Sequence, residues 1–313
     1  MAATELAVPT KPRGRRAGSK VEKQGRLAFW LLLPAGIVVF GVIIYPVART
    51  VLISFFEVNS AVPDATPFVG VRNYVDIATD AGFWSSIGHT VYFTIVSTGL
   101  ELVLGTGLAL LLNAPLKLRW LFRAIVVLPW ALPTVVNGAM WRGVLNAQYG
   151  SLNALLTQAH VIGDYHSWLG TPASALNMLV VADVWKTTPL VAFFLLTGLQ
   201  SIPPEIYESA RVDGAGPFGG FFRITLPLLV PSVAVVLVLR TIDAFKVFDL
   251  VYVLTGGGPA NGTQTVAFYT YVQAFSDQRF GFGSALADVI VACILLLSAI
   301  YLRALRRSEM SLL

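Results

Sequence analysis

Six charged residues interrupt apolar stretches of this sequence as three opposite-charge pairs, each three residues apart: Asp183 with Lys186, Arg240 with Asp243, and Lys246 with Asp249. Residues at that spacing share one face of a helix, so each pair can neutralise itself locally. The same groups can instead line a polar cavity, because ionisable residues at membrane depth are costly and mark pathways or sites. On helices, positions 183, 186, 187 and 190 form one stripe and 240, 243, 244 and 247 another, and together they offer both donors and acceptors. Glu101 stands alone in an apolar segment. Its expected partner lies across a helix interface, with a proton relay as the alternative.

Other chemical motifs fail on context. Gly214, Gly216 and Gly219 spell G-x-G-x-x-G, but a dinucleotide site needs a strand before that string and a helix after it. Here a polar, helix-compatible segment precedes it and Pro217 interrupts it. Gly256-Gly257-Gly258-Pro259 lacks the Gly-Lys-Ser/Thr ending of a phosphate-gripping loop, and no such ending occurs elsewhere. Any ATP used in this protein's work is therefore expected to be hydrolysed on another chain. His89, His160 and His166 lack H-E-x-x-H spacing and read as solvated surface of external links. The single Cys293 excludes an intrachain disulfide and a Cys-based zinc site. No catalytic cluster is recognisable, and no metal, cofactor or nucleic-acid partner is expected of this chain.

The elements that must position these residues are set by composition. Of 313 residues, 56% are hydrophobic and 12% charged, and mean hydropathy is +0.71. Soluble domains carry about 25% charged residues, so much of this surface must face lipid. A membrane helix needs about 20 apolar residues. Six stretches qualify: about 27–54, 90–112, 121–140, 176–199, 228–250 and 284–302. Pro34, Pro46, Pro129, Pro133 and Pro189 fall within them, tolerable where neighbouring helices satisfy the freed carbonyls. Trp130 and Trp141 read as packing and interface-belt residues, with stacking against a bound ligand as the alternative. Fifteen Lys and Arg lie in the first tail, the links before the third and fifth spans, and the last tail. The other three links carry Arg72, Arg142 and Arg279. That asymmetry places both termini in the cytoplasm. The first apolar stretch is too long for a signal peptide and lacks a small-residue cleavage site. The expectation is an all-α integral membrane protein of about six transmembrane helices. It comprises a basic tail without a fold over 1–26, a membrane domain over 27–302, and a short tail over 303–313.

The link between the fourth and fifth spans, about 200–227, is the most informative segment. Pro203-Pro204 suits a helix start, with Glu205 in its first turn, and Gly214 suits its end. Glu208-Ser209-Ala210, three residues, Gly214, nine residues, then Ile224-Thr225-Leu226-Pro227 resembles the Glu-Ala-Ala loop of ATP-binding-cassette importer permeases. Ser209 for the first alanine is the one departure. The resemblance runs from about residue 27 to the C-terminus. It is nearest to sugar permeases of the maltose and trehalose type, through Val184-Trp185-Lys186-Thr187-Thr188-Pro189, Arg240-Thr241-Ile242-Asp243-Ala244-Phe245 and Leu254-Thr255-Gly256-Gly257-Gly258-Pro259.

This resemblance implies a bacterial cell-membrane permease subunit that supplies half of a translocation pathway. It implies a second permease, two cytoplasmic ATPase subunits that bind ATP and Mg, and an extracytoplasmic sugar-binding protein as partners. The loop becomes a cytoplasmic coupling helix, with Glu208, Ser209, Ala210, Asp213 and Gly214 at the ATPase. Substrate-facing family positions correspond to Thr134, Asp183, Thr187, Leu190, Arg240, Ala244 and Val247, and the paired charges Lys186 and Asp243 join them. Several are charged or apolar where the maltose subunit has amides or small polar groups, which leaves the sugar open. Glycerol-3-phosphate is the alternative cargo, since Arg240 and Lys186 could hold a phosphate. A proton-coupled transporter using Glu101 or Asp183 is the alternative class, and internal repeats, its usual mark, are not evident.

Overall fold

The computed structural model describes residues 17–59, 66–115 and 117–310, and among them the regular elements are all helices, with only isolated bridges Phe56–Phe68 and Asn59–Arg279 in place of strands. Residues up to Leu52 form one unit and Ile53–Leu313 a second. In the first unit, α1 (Ala17–Val38) passes through a π-helical turn at Val39–Ile44 into α2 (Tyr45–Ile53). Proline removes a backbone donor and its ring clashes with the carbonyl four residues back. The wider turn immediately before Pro46 absorbs that misfit. Residues 17–26 are thus helical, where a segment without a fold was expected. Residues 1–16, including Lys11, Arg13, Arg15 and Arg16, lie outside the described part.

The second unit is built on four long helices: α4 (Ala81–Asn113), α8 (Pro172–Gln200), α11 (Leu226–Phe245) and α14 (Phe280–Met310). With Ala28–Ile53, these give five spans long and apolar enough to cross a membrane. The third expected span is not a straight helix. α5 (Arg119–Ala131) and α6 (Thr134–Val144) meet at 91°. Leu132 is extended because it precedes Pro133, which disfavours helical backbone before it and donates no hydrogen bond. Pro129, Pro189 and Pro231 remain inside continuous helices. α4 starts at Ala81, nine residues earlier than expected, because Asp80 caps it by accepting the Phe83 N–H at 2.7 Å. α11 ends at Phe245, five residues early. The C-terminal segment expected as a tail continues α14 to Met310.

α4 and α8 make the central packing interface. Gly105 and Ala109 lie one turn apart on α4 against Val191, Ala192 and Leu195 of α8, the small residues that close helix approach within a membrane requires. A Cβ at Gly105 would fall 2.6 Å from Val191 Cγ1. Short helices cover the two ends, and α3 (Arg72–Thr79) precedes α4 while α7 (Ser151–Gln158) precedes α8. Between α8 and α11 lie α9 (Pro204–Val212) and the single turn α10 (Pro217–Gly220). Between α11 and α14 lie α12 (Asp249–Leu254) and α13 (Val266–Tyr271). Tyr269 of α13 donates to Asp80 at 3.0 Å, fastening that end to the cap of α4. Burial, with the Asp80 carboxylate accepting its hydrogen, pushes the Tyr269 phenol well above its ordinary value, so it remains a donor.

Candidate functional site

Three helices bring three charges to one level of the second unit. Arg240 on α11 donates from Nε to Glu101 Oε2 of α4 at 2.5 Å and from Nη2 to Glu101 Oε1 at 2.7 Å. The same Nη2 donates to Asp183 Oδ2 of α8 at 2.9 Å. Side-chain exposures are 0% for Glu101, 6% for Arg240 and 14% for Asp183. The planar guanidinium fork fits a carboxylate through two parallel bonds. Only such complete pairing offsets the cost of taking these charges out of water. Glu101 therefore finds its partner across a helix interface, as its isolation in the sequence led one to expect.

Arg240 and Asp183 lie on a cleft of about 310 Å³ formed by the α5–α6 bend, α8, the end of α11 and the start of α12. Of the residues expected to face substrate, Thr134, Asp183, Lys186, Thr187, Leu190, Arg240, Asp243 and Val247 all line it. Ala244 does not. It is 2% exposed and belongs to the core cluster of Val184 and Leu250. The bend places Thr134 at the first position of α6, where its Oγ1 accepts from Lys186 Nζ at 2.8 Å. Asn137, on the next turn, donates to the Ala182 carbonyl and ties α6 to α8.

The charges pair differently from the i,i+3 expectation. Asp183 is engaged by Arg240, and Lys186 turns to Thr134 instead. Arg240 points to α4, leaving Asp243 to meet Lys246 at 3.1 Å in a half-exposed pair. Lys246 and Asp249 are separated by the break between α11 and α12, so they share no helix face. Trp130, expected as an interface-belt residue, lines the cleft together with Phe248, Asp249 and Leu250. Sequence spacing marked Asp249 among the paired charges but gave no sign of Phe248 and Leu250, which the α11–α12 break brings in. Trp141 packs edge-on to Trp185 beside the core. His89 lies within α4 with Nδ1 3.1 Å from the Gln264 carbonyl, not on a solvated link. Among the described residues no His, Cys, Asp and Glu group is arranged to hold a metal.

The second cluster of expected functional residues lies at the α9 end. α9 has the expected bounds, and Gly214 terminates it at φ +82°, a conformation that strains any residue with a Cβ. The Ala215 N–H closes on the Ala210 carbonyl at 2.9 Å and the Gly214 N–H on Arg211 at 3.1 Å. Glu208, Ser209, Asp213 and Gly214 are exposed and Ala210 is half-buried. Val212 and Phe218 stand out of this otherwise polar segment at 88% and 81% exposure.

Residues 101–310 match the family described as "Binding-protein-dependent transport system inner membrane component". The chain is 43% identical over 281 residues to the trehalose/maltose transport system permease protein MalF of Thermococcus litoralis, covering 90% of this chain and 94% of that one. It is 40% identical over 283 residues to the sulfoquinovosyl glycerol transport system permease protein SmoG of Agrobacterium fabrum, covering 90% and 91%. Its fold is shared with a chain of a crystallised bacterial ABC transporter that imports the acidic polysaccharide alginate, at TM-score 0.79, 24% identity, and coverage of 93% and 99%. The match over two thirds of the sequence and the near full-length relatives agree with the helical architecture: the chain belongs to the family of binding-protein-dependent transport system inner membrane components.

Proposed function

We propose that this chain is the permease subunit of an ATP-driven importer of disaccharides or short oligosaccharides, and that its cleft forms half of the translocation pathway. The observation that carries this reading is the cleft itself. It is a polar recess between membrane-spanning helices whose charges are largely matched within the protein, as suits a neutral cargo rich in hydroxyls. Arg240 is taken by two carboxylates, which weakens the case for a phosphate-bearing cargo such as glycerol-3-phosphate. The relative named for trehalose and maltose transport points the same way.

In this reading α9 is the coupling element. Exposed Val212 and Phe218 beside Glu208 and Asp213 suit a protein partner better than water. That partner is an ATPase, which binds ATP and Mg and docks on Glu208, Ser209, Ala210, Asp213 and Gly214. A second permease completes the pathway, two ATPase subunits drive it, and an extracytoplasmic sugar-binding protein delivers cargo. Both termini and α9 face the cytoplasm of a bacterial cell. The test is uptake of labelled sugar into proteoliposomes carrying the purified complex. Uptake is expected to require ATP and the binding protein. Uptake driven by a proton gradient without ATP would overturn the proposal.

A further inference from the structure

Glu101 has no part in the pathway as described so far, because it is 0% exposed and does not line the cleft. Yet it takes two of the three hydrogen bonds that Arg240 makes. The geometry of those bonds has a consequence on the far side of the guanidinium. Nε and one Nη2 hydrogen are committed to Glu101, and the other Nη2 hydrogen is committed to Asp183 Oδ2. Arg240 Nη1 takes no part in these bonds, Glu101 also stands beside Asp183, and Arg240 and Asp183 both line the cleft. A donor residue and an acceptor residue thus border the same cleft, which is the pattern that neighbouring sugar hydroxyls satisfy.

We propose that Glu101 is a positioning residue for cargo in the cleft. By clamping the guanidinium from behind, it fixes Nη1 and the Asp183 carboxylate as a preorganised donor–acceptor pair for a cargo diol. Without it, the guanidinium turns so that two of its donors fold onto both oxygens of Asp183, the fork geometry that Arg–carboxylate pairs favour. That closes the acceptor to cargo and misdirects the donor. The cost falls on retention of cargo and spares the fold, because Arg240 and Asp183 still neutralise each other. This inference rests on the sugar-importer reading above.

The test uses the complex purified with its native partners in proteoliposomes. The probe is whichever of trehalose, maltose or sulfoquinovosyl glycerol the parent complex imports best. The readout is sugar delivered per ATP hydrolysed, which a purely structural residue would not move in an assembled complex. Glu101→Gln is expected to assemble and to keep binding-protein-stimulated ATPase, while sugar per ATP falls about ten-fold, the scale of one lost charge-assisted hydrogen bond. Glu101→Asp, with a carboxylate on a shorter reach, is expected between the two. The double variant Glu101→Gln with Arg240→Met frees Asp183 and is expected to recover part of the loss. Unchanged sugar per ATP in Glu101→Gln overturns the proposal. If Glu101→Gln does not assemble, Glu101→Asp decides: reduced sugar per ATP supports positioning, and a normal value overturns it. Failure of both to assemble assigns Glu101 to the fold alone. A parent complex that imports none of the three sugars removes the sugar reading itself, and this inference with it.

Discussion

Arg240 balances two carboxylates, and the arrangement is asymmetric in what its members can lose. Removing Arg240 leaves Glu101 and Asp183 uncompensated at 0% and 14% exposure. Breaking a buried pair in this way costs about 3–5 kcal/mol. Arg240→Ala is therefore expected to collapse the yield of folded protein or to lower its detergent melting temperature sharply, measured by size-exclusion chromatography and thermal unfolding. Asp243→Ala removes only a half-exposed partner of Lys246, and such pairs are worth about 0–1 kcal/mol. Its melting temperature should stay within a degree or two of the parent. Equal damage from the two substitutions would show that the buried cluster has no special structural weight. Sequence spacing marked Arg240 and Asp243 as a pair, but side chains pair with the partner that the fold brings nearest. Here that partner of Arg240 lies 139 residues away.

At the scale of elements, one glycine and one proline decide how the helices are placed. Gly105 lets α4 and α8 approach until Val191 fills the space a side chain would need. Gly105→Val forces that interface apart, at about 1–3 kcal/mol for overpacking. A lower melting temperature is expected, while Gly107→Val on the same helix, with nothing within 4 Å of its Cα substituent, should be tolerated. Pro133 breaks the third span and sets Thr134 against Lys186. Its effect was not legible beforehand, because Pro189 and Pro231 show that a membrane helix can also run on through a proline. What differs is that Leu132 and Pro133 sit where α6 turns to pack beside α8 and α12, so tertiary packing rewards the break. α9, by contrast, was readable from local rules, with prolines at its start and a left-handed glycine at its end. Gly214→Val should distort that turn and Glu208→Lys reverse its exposed charge. Both variants are expected to reach the membrane intact yet lose the stimulation of ATPase activity by loaded binding protein. Normal sugar uptake by both would rule out coupling through α9.

At the scale of the whole molecule, the proposed pathway needs a second permease to supply its other half. Affinity purification through this chain should therefore yield a second permease of similar size in equal amount. A transport-competent complex containing this chain as its only permease, present once, would contradict that. Orientation is separately testable in a Cys293→Ser background. Cysteine at Ser209 should react with an impermeant maleimide only after the cytoplasmic face is opened. Cysteine at Asp164, in the link on the other side of the membrane, should react in intact cells. The reverse pattern would invert the assigned topology.

By itself the sequence determined the class of molecule: its scarcity of charge forces lipid-facing helices, and hydrophobic length finds the spans without reference to any neighbour. It also determined α9 and its glycine stop, since caps and turns are interactions among residues a few positions apart. It listed most of the cleft as well, because intramembrane polar residues have nowhere else to go. Only the tertiary structure decided who pairs with whom. The clamp of Glu101 on Arg240, the meeting of Thr134 and Lys186, the entry of Trp130 and Phe248 into the cleft and the withdrawal of Ala244 from it all depend on where helices distant in sequence end and bend. Those are long-range choices. They are settled by which packing buries small residues closely and brings Glu101, Asp183 and Arg240 together, and no local pattern encodes that comparison.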